Sequence, residues 1–129
     1  MEDEPRMRHA SIDSFFRGCE PLKPVLVLTT VHAAFDAASL ARELVELRLA
    51  ACVNILPGFT SIYRWEGKVE EEGEQLLLIK TAEGRVDELR RQLLTRHPYD
   101  LPEFLVLNVD QASKAYGAWL VHSSMPEQS

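Results

Sequence analysis

Thr60-Ser61-Ile62-Tyr63-Arg64-Trp65-Glu66-Gly67-Lys68 decides the architecture of this chain, because Glu66-Gly67 offers a two-residue hairpin turn between two extended runs. The incoming run begins at residues 51–56 as a strand and is interrupted by Pro57-Gly58, a pair that bends or bulges it. The outgoing run continues through residues 68–81. At about 3.4 Å per residue it reaches roughly 45 Å. A helix of about 14 residues covers only about 21 Å at roughly 1.5 Å per residue. The helices of one subunit are therefore too short to shelter the ribbon. Its distal half would leave Ile62, Tyr63, Trp65 and Val69 on an open edge in water, so a homo-oligomer is expected.

The flanking segments supply the rest of a two-layer fold. Val25-Leu26-Val27-Leu28 is an apolar run without polar alternation, the pattern of a central strand. Asp36 is placed to cap a helix whose stripe is Ala37, Leu40, Ala41, Leu44 and Leu47, ending near Leu49. After the ribbon a second amphipathic helix turns Val86, Leu89 and Leu93 inward and Glu88, Arg90, Arg91 and Gln92 largely outward. Residues 104–109 read as a final core strand, and Ser113 is placed to cap a terminal helix holding Tyr116, Trp119 and Leu120. The order βαββαβ plus a last helix suits an α+β, ferredoxin-like sandwich with one helical layer on an antiparallel sheet. Residues 25–122 form this domain. Residues 1–24 are polar, carry three prolines and are expected to lie outside the core, with residues 123–129 a C-terminal tail. Within the leading segment, Ser11, Ile12, Phe15 and Phe16 have the spacing of a short helix able to dock on a neighbouring surface.

Composition narrows the function. A net charge of -6 over 129 residues disfavours nucleic acid, whose affinity for proteins comes mainly from phosphate neutralisation by Lys and Arg. No apolar run approaches the roughly 20 residues that span a bilayer, so no membrane partner is expected. The opening Met1-Glu2-Asp3-Glu4-Pro5 is acidic and leads into no apolar stretch, which makes the cytoplasm the expected location. Cys19 and Cys52 form neither a disulfide framework nor a metal clip and read as thiols, Cys52 as a small core residue.

The chemistry concentrates in His97-Pro98-Tyr99-Asp100-Leu101-Pro102-Glu103, where two prolines bracket an aromatic and carboxylates beside an imidazole. Each proline fixes its own φ and holds the residue before it out of the helical region. Such a loop suits a site, and equally suits stopping a helix before a strand. His97 titrates near physiological pH and is the best single metal ligand or acid-base candidate, its blander role being an interaction with the helix C-terminus. Tyr99 offers a hydroxyl and Glu103 a carboxylate to a cleft, or packing and loop hydrogen bonds. Tyr63 and Trp65 share one side of the ribbon, chiefly as interface and secondarily as pocket lining. Lys80 either pairs an anion at the strand end or reaches solvent along its stem. Glu70, Glu72 and Glu74 share a strand face and read as a solvated charge run that guards the edge. His9, His32 and His122 lack ligand-spaced neighbours, although His32 follows the first strand. There is no Walker-type phosphate loop and no evident nucleophile-base pair, so binding is expected and an enzyme is not.

As a set, Ala50-Ala51-Cys52-Val53-Asn54-Ile55, Tyr63-Arg64-Trp65-Glu66-Gly67-Lys68, Ile79-Lys80-Thr81, the Pro-bracketed loop, and Tyr116 with Trp119 resemble the CutA divalent-cation tolerance family over about residues 25–121. The resemblance implies a ferredoxin-like homotrimer similar to the PII signalling proteins, with the ribbon packed on neighbouring subunits. It also implies a cytoplasmic protein linked to tolerance of copper and other divalent metal ions, with copper as the usual ligand and no settled reaction. Some members place a cysteine late in the first strand and a second histidine before the Pro-Tyr step. Here these positions hold Thr29 and Arg96. A lone imidazole with carboxylates suits Cu(II) or Zn(II) better than Cu(I). Asp110-Gln111-Ala112-Ser113 also lacks the glycine often found there. The alternative carried alongside is a PII-like small-molecule sensor or assembly scaffold that uses the intersubunit cleft without metal.

Overall fold

Glu66 and Gly67 both adopt positive φ, 50° and 82°, and so make the tight mirror-image turn that matches the twist of a two-stranded ribbon. The computed structural model describes residues 23–126; the docking segment expected at residues 11–16 and Cys19 lie outside the described residues. Strand β1 is Pro24–His32, helix α1 Ala37–Glu46, β2 Cys52–Trp65, β3 Lys68–Ala82, helix α2 Val86–Arg96, β4 Leu105–Asn108 and helix α3 Lys114–Ser123. A 3-10 turn, Glu83–Arg85, leads into α2. The sheet order is β2-β3-β1-β4 with every pairing antiparallel, which is the ferredoxin-like arrangement expected from the element order.

Strand periodicity divides the sheet into two faces. On one face Val27 and Val31 of β1 and Leu77 and Ile79 of β3 meet Leu40 and Leu44 of α1 and Leu89 and Leu93 of α2. Leu77, Ile79, Leu89 and Leu93 are fully buried, so truncating Leu89 to alanine costs about 2–5 kcal/mol. Asp36 caps α1 by accepting the Ser39 N–H at 3.1 Å, as its position predicts. On the other face the register aligns Leu26 with Leu107, Leu28 with Leu105 and Leu78, and Leu76 with Leu56. Helix α3 covers only one end of this leucine face, where Leu120 and Val121 pack with Ala82, Ala51 and Trp119.

Four expectations need correction. Helix α1 stops at Glu46, not near Leu49, because Arg48 turns into the left-handed region at φ 59°, which leaves Leu47 45% exposed. The final strand is neither long nor in the core. It is an edge strand of four residues, and Leu105, Val106 and Leu107 are exposed. Ser113 occupies the N-cap position of α3 without a side-chain capping bond. Packed structure also continues past residue 122. Ser124 is fully buried and its Oγ donates to Leu120 O at 2.8 Å, while Met125 O accepts from Arg48 Nε at 2.6 Å.

Pro57-Gly58 acts as expected. The β2–β3 register shifts between Leu56 and Phe59, inserting one extra residue, and Gly58 supplies a φ of 75° that a side chain would strain. Beyond this bulge the ribbon runs on to the turn, with Tyr63 opposite Glu70 and Trp65 opposite Lys68.

Candidate functional site

The loop after α2 is fastened to the sheet through His97. This residue is the C-cap of α2, extended at φ -77° and ψ 140° as the following proline requires, and is 9% exposed. Its Nδ1 accepts the Tyr99 backbone N–H at 3.1 Å, which assigns the ring proton to Nε2. Nε2 lies 3.0 Å from Thr30 O and 3.0 Å from Thr29 Oγ1. Burial pushes the imidazole pKa below its ordinary value against the opposing pull of the Thr30 bond and the Glu74 charge. His97 is thus a neutral clamp between β1 and the loop, with both ring nitrogens engaged.

The clamp sets Tyr99. Its ring lies edge-on to His97 at 5.0 Å between centroids and stacks on His32 at 6.1 Å. Tyr99 Oη donates to Glu74 Oε2 at 2.5 Å, and Ser61 Oγ donates to Glu74 Oε1 at 2.6 Å. Glu74 is 7% exposed, so it is not the solvated member of a charge run expected from alternation with Glu70 and Glu72. A carboxylate this buried needs charge-assisted bonds, and each oxygen receives one. Burial, then the Glu74 bond and charge, push the Tyr99 phenol far above its ordinary range and keep it a donor. The neighbouring Gln75 donates to His32 O, Ala33 O and Phe35 O at 3.2, 3.3 and 2.9 Å, pinning the β1–α1 connection beside His32.

Between the loop and the ribbon lies an open cleft of about 640 Å³. Tyr63, Trp65 and Tyr99 give it aromatic walls, while Glu74, Glu103, Asp100 and Arg64 supply charge. The Glu103 carboxyl is raised by burial first and by the Glu74 charge second, and the Tyr63 phenol by desolvation and then by Glu72, Glu70 and Glu74. The carboxylates of the lining outnumber its one guanidinium, so the cleft is net negative.

The structure therefore brings together Tyr63, Trp65, Tyr99 and Glu103, with His97 behind them. Lys80 is elsewhere. It lies six positions along β3 from Glu74, roughly 20 Å away, and its Nζ is 3.4 Å from Tyr116 Oη and 5.7 Å from the Tyr116 ring centre. Glu74 and Ser61 were not singled out from sequence as site residues. Their signal was the bulge, opposite which the acidic run gives way to Leu76. Among the described residues, no group of three or more His, Cys, Asp and Glu is arranged to hold a metal ion. No helix among them is long and apolar enough to cross a membrane.

Sheet order, ribbon and loop cleft together define a ferredoxin-like protein of the PII-like kind. A family model described as CutA1 divalent ion tolerance protein matches residues 25–123. The chain is 46% identical over 95 residues to the divalent-cation tolerance protein CutA of Thermus thermophilus, covering 74% of this chain and 92% of that one. It is 40% identical over 100 residues to the chloroplastic protein CutA of Arabidopsis thaliana, covering 78% of this chain and 55% of that longer relative. A solved structure of the Thermus thermophilus protein aligns with a TM-score of 0.74 at 44% identity, over 78% of this chain and 97% of that one. The PII-like protein CutA from Nostoc sp. PCC 7120, solved in apo form, gives 0.74 at 32% identity over 80% and 99%. This chain belongs to the CutA1 divalent ion tolerance family.

Proposed function

We propose that this chain serves divalent-cation tolerance as a cytoplasmic homotrimer that binds a small ligand in the cleft between ribbon and loop. The observation that carries the reading is Glu74, a carboxylate 7% exposed and held by Ser61 and Tyr99 in an aromatic-walled cleft. A buried charge fixed at the wall of a concave, partly apolar space is the ordinary build of a ligand site. Binding without turnover fits the same geometry, since the hydroxyls of Ser61 and Tyr99, which meet a carboxylate among the described residues of the cleft, are spent on holding Glu74. Assembly is supported by the leucine face, where Leu56 and Leu105 are 46% and 55% exposed, and its threefold order follows the family resemblance.

The test is a thermal-shift screen of small metabolites on the full chain in the presence of a chelator. The reading expects at least one saturable ligand whose effect is lost in Trp65→Ala. A screen in which every effect survives that change removes the cleft from the function.

Direct binding of copper or another divalent ion is the second reading, favoured by Asp100, Glu103 and Glu74 lining one cleft and by the names of the relatives. Oxygen donors of this kind suit Cu(II) or Zn(II) coordination only when a further ligand joins them. His97 joins only if its clamp opens. Calorimetry with Cu(II) and Zn(II) should then show saturable binding that weakens in both Glu103→Gln and His97→Gln, and unaltered binding in both variants rejects this arrangement.

A further inference from the structure

The lining of the cleft is selective in sign and in shape. Three carboxylates, from Glu74, Asp100 and Glu103, face one guanidinium, that of Arg64, which strand alternation assigns to the opposite side of β2 from Tyr63 and Trp65. The most buried of the carboxylates is also the best fixed. Both Glu74 oxygens already accept a hydroxyl, which leaves its charge in place but takes up much of the coordination a bare metal ion needs. Three aromatic rings complete the wall, and rings supply no ligand atoms to a hard cation but attract an organic one through their π faces. Three carboxylates against one guanidinium leave the space net negative, and the phenols of Tyr99 and Tyr63 and the carboxyl of Glu103 are pushed upward by desolvation first and by their acidic neighbours second. An anion would meet that charge unfavourably, and a neutral ligand would gain nothing from it.

We propose that the cleft takes a compact organic ammonium ion, whose charge rests near Glu74 and Glu103 and whose carbon shell packs against Tyr63, Trp65 and Tyr99. This rests on the reading that the cleft is the ligand site, and it adds the chemical class of the ligand. The opening of about 640 Å³ holds a ligand of drug-like size or smaller. Its aromatic walls favour a cation wrapped in methyl or methylene groups over a strongly hydrated one, because less hydration is lost on entry.

The experiment uses the full chain in phosphate buffer free of amines, with choline as probe and dimethylbutanol, in which carbon replaces the nitrogen, as its neutral isostere. Indole N–H resonances of Trp65 and Trp119 are followed by NMR, Trp119 lying in the α3 cluster outside the cleft. The proposal expects choline to shift Trp65 saturably and to leave Trp119 in place, with dimethylbutanol weaker by about tenfold or more. Glu103→Gln should weaken choline several-fold and leave dimethylbutanol unchanged; it is used beside Glu74→Gln because loss of the more deeply buried carboxylate can disturb the fold, which the Trp119 resonance reads. Equal binding of the two probes at Trp65 overturns the ammonium class while leaving the cleft as a ligand site. If neither probe moves Trp65 at millimolar concentration, the ammonium class falls; the cleft itself falls only if the metabolite screen also finds nothing that depends on Trp65.

Discussion

Tyr99 Oη and Glu74 Oε2 stand 2.5 Å apart and join a loop and a strand separated by 25 residues of sequence. This bond closes the site, because the loop side supplies the donor and the ribbon side the charge. Tyr99→Phe leaves one oxygen of a buried carboxylate without its donor and should cost about 1–3 kcal/mol of stability. In a double-mutant cycle with Glu74→Gln, measured by chemical denaturation, the two changes should couple by about 1–3 kcal/mol. Simple additivity would mean that the bond contributes nothing in solution.

The His97 clamp carries a pH signature. Burial lowers its pKa, so the unfolded chain binds the proton more readily than the native state, and stability rises with pH across this titration. The contribution is complete above the ordinary histidine value of 6.5 and is lost as pH falls through the depressed native value. His32 and Glu74 are the titratable neighbours acting on the ring, one lowering and the other raising its pKa. Denaturant midpoints of parent and His97→Gln, followed from about pH 8 to about pH 5, should converge on the acid side. A constant gap would remove His97 as the cause.

Glu103 has the opposite sign. Its raised pKa means that the native state holds the proton more readily than the unfolded chain, so ionisation costs stability as pH rises from 4.5 through the higher native value. Glu103→Gln, neutral and nearly isosteric, should therefore be more stable than the parent at neutral pH, with the advantage fading toward about pH 4. Thermal melts at the two conditions check this.

Arg48 separates backbone from side-chain effects. Its φ of 59° favours glycine, while its guanidinium donates to Met125 O at 2.6 Å and His122 O at 3.2 Å and so holds the end of α3. Arg48→Ala loses the clamp and keeps the strain, whereas Arg48→Gly loses the clamp and relieves it. In thermal or denaturant melts the alanine variant should be the less stable by about 1 kcal/mol.

The leucine face predicts assembly. Leu105, 55% exposed on the edge strand, can change to aspartate without opening the helix-covered core. Leu105→Asp should dissociate the oligomer in sedimentation equilibrium while preserving the far-ultraviolet spectrum of the folded subunit. A spectrum that collapses together with the assembly would show that the subunit does not fold alone.

Much of the fold was legible because local chemistry and tertiary structure agree. Glu66-Gly67 can make a tight turn, Asp36 can cap, and Leu89 and Leu93 repeat at helical spacing, so each element announces itself within a few residues. The site was only half legible. The Pro-bracketed loop and the aromatics are local signals, but the burial of Glu74 comes from a loop 25 positions away, which strand alternation cannot report. Lys80 shows the converse. It shares a strand with Glu74, yet the length of β3 carries it to Tyr116 and out of the cleft. The edge position of β4 was hidden too, because its apolar run reads the same whether a helix or another subunit covers it.

The single extra residue at Pro57-Gly58 works as a parity switch for the ribbon. Leu56 faces the same side as Leu76, and three steps later Phe59 faces the same side as Glu74, so the odd-numbered residues beyond the bulge inherit the face that an uninterrupted strand would give to the even-numbered ones. That offset lets Tyr63 and Trp65 share a sheet face with Leu56 although an odd number of steps separates them from it. Deleting one residue there, with the turn still holding Tyr63 opposite Glu70, would turn residues 52–56 over and bring Val53 and Ile55, which pack on the helix-covered core, to the face where Leu56 stands. The fit between core and cleft is therefore written in the count of residues that joins them, in a segment that touches no ligand.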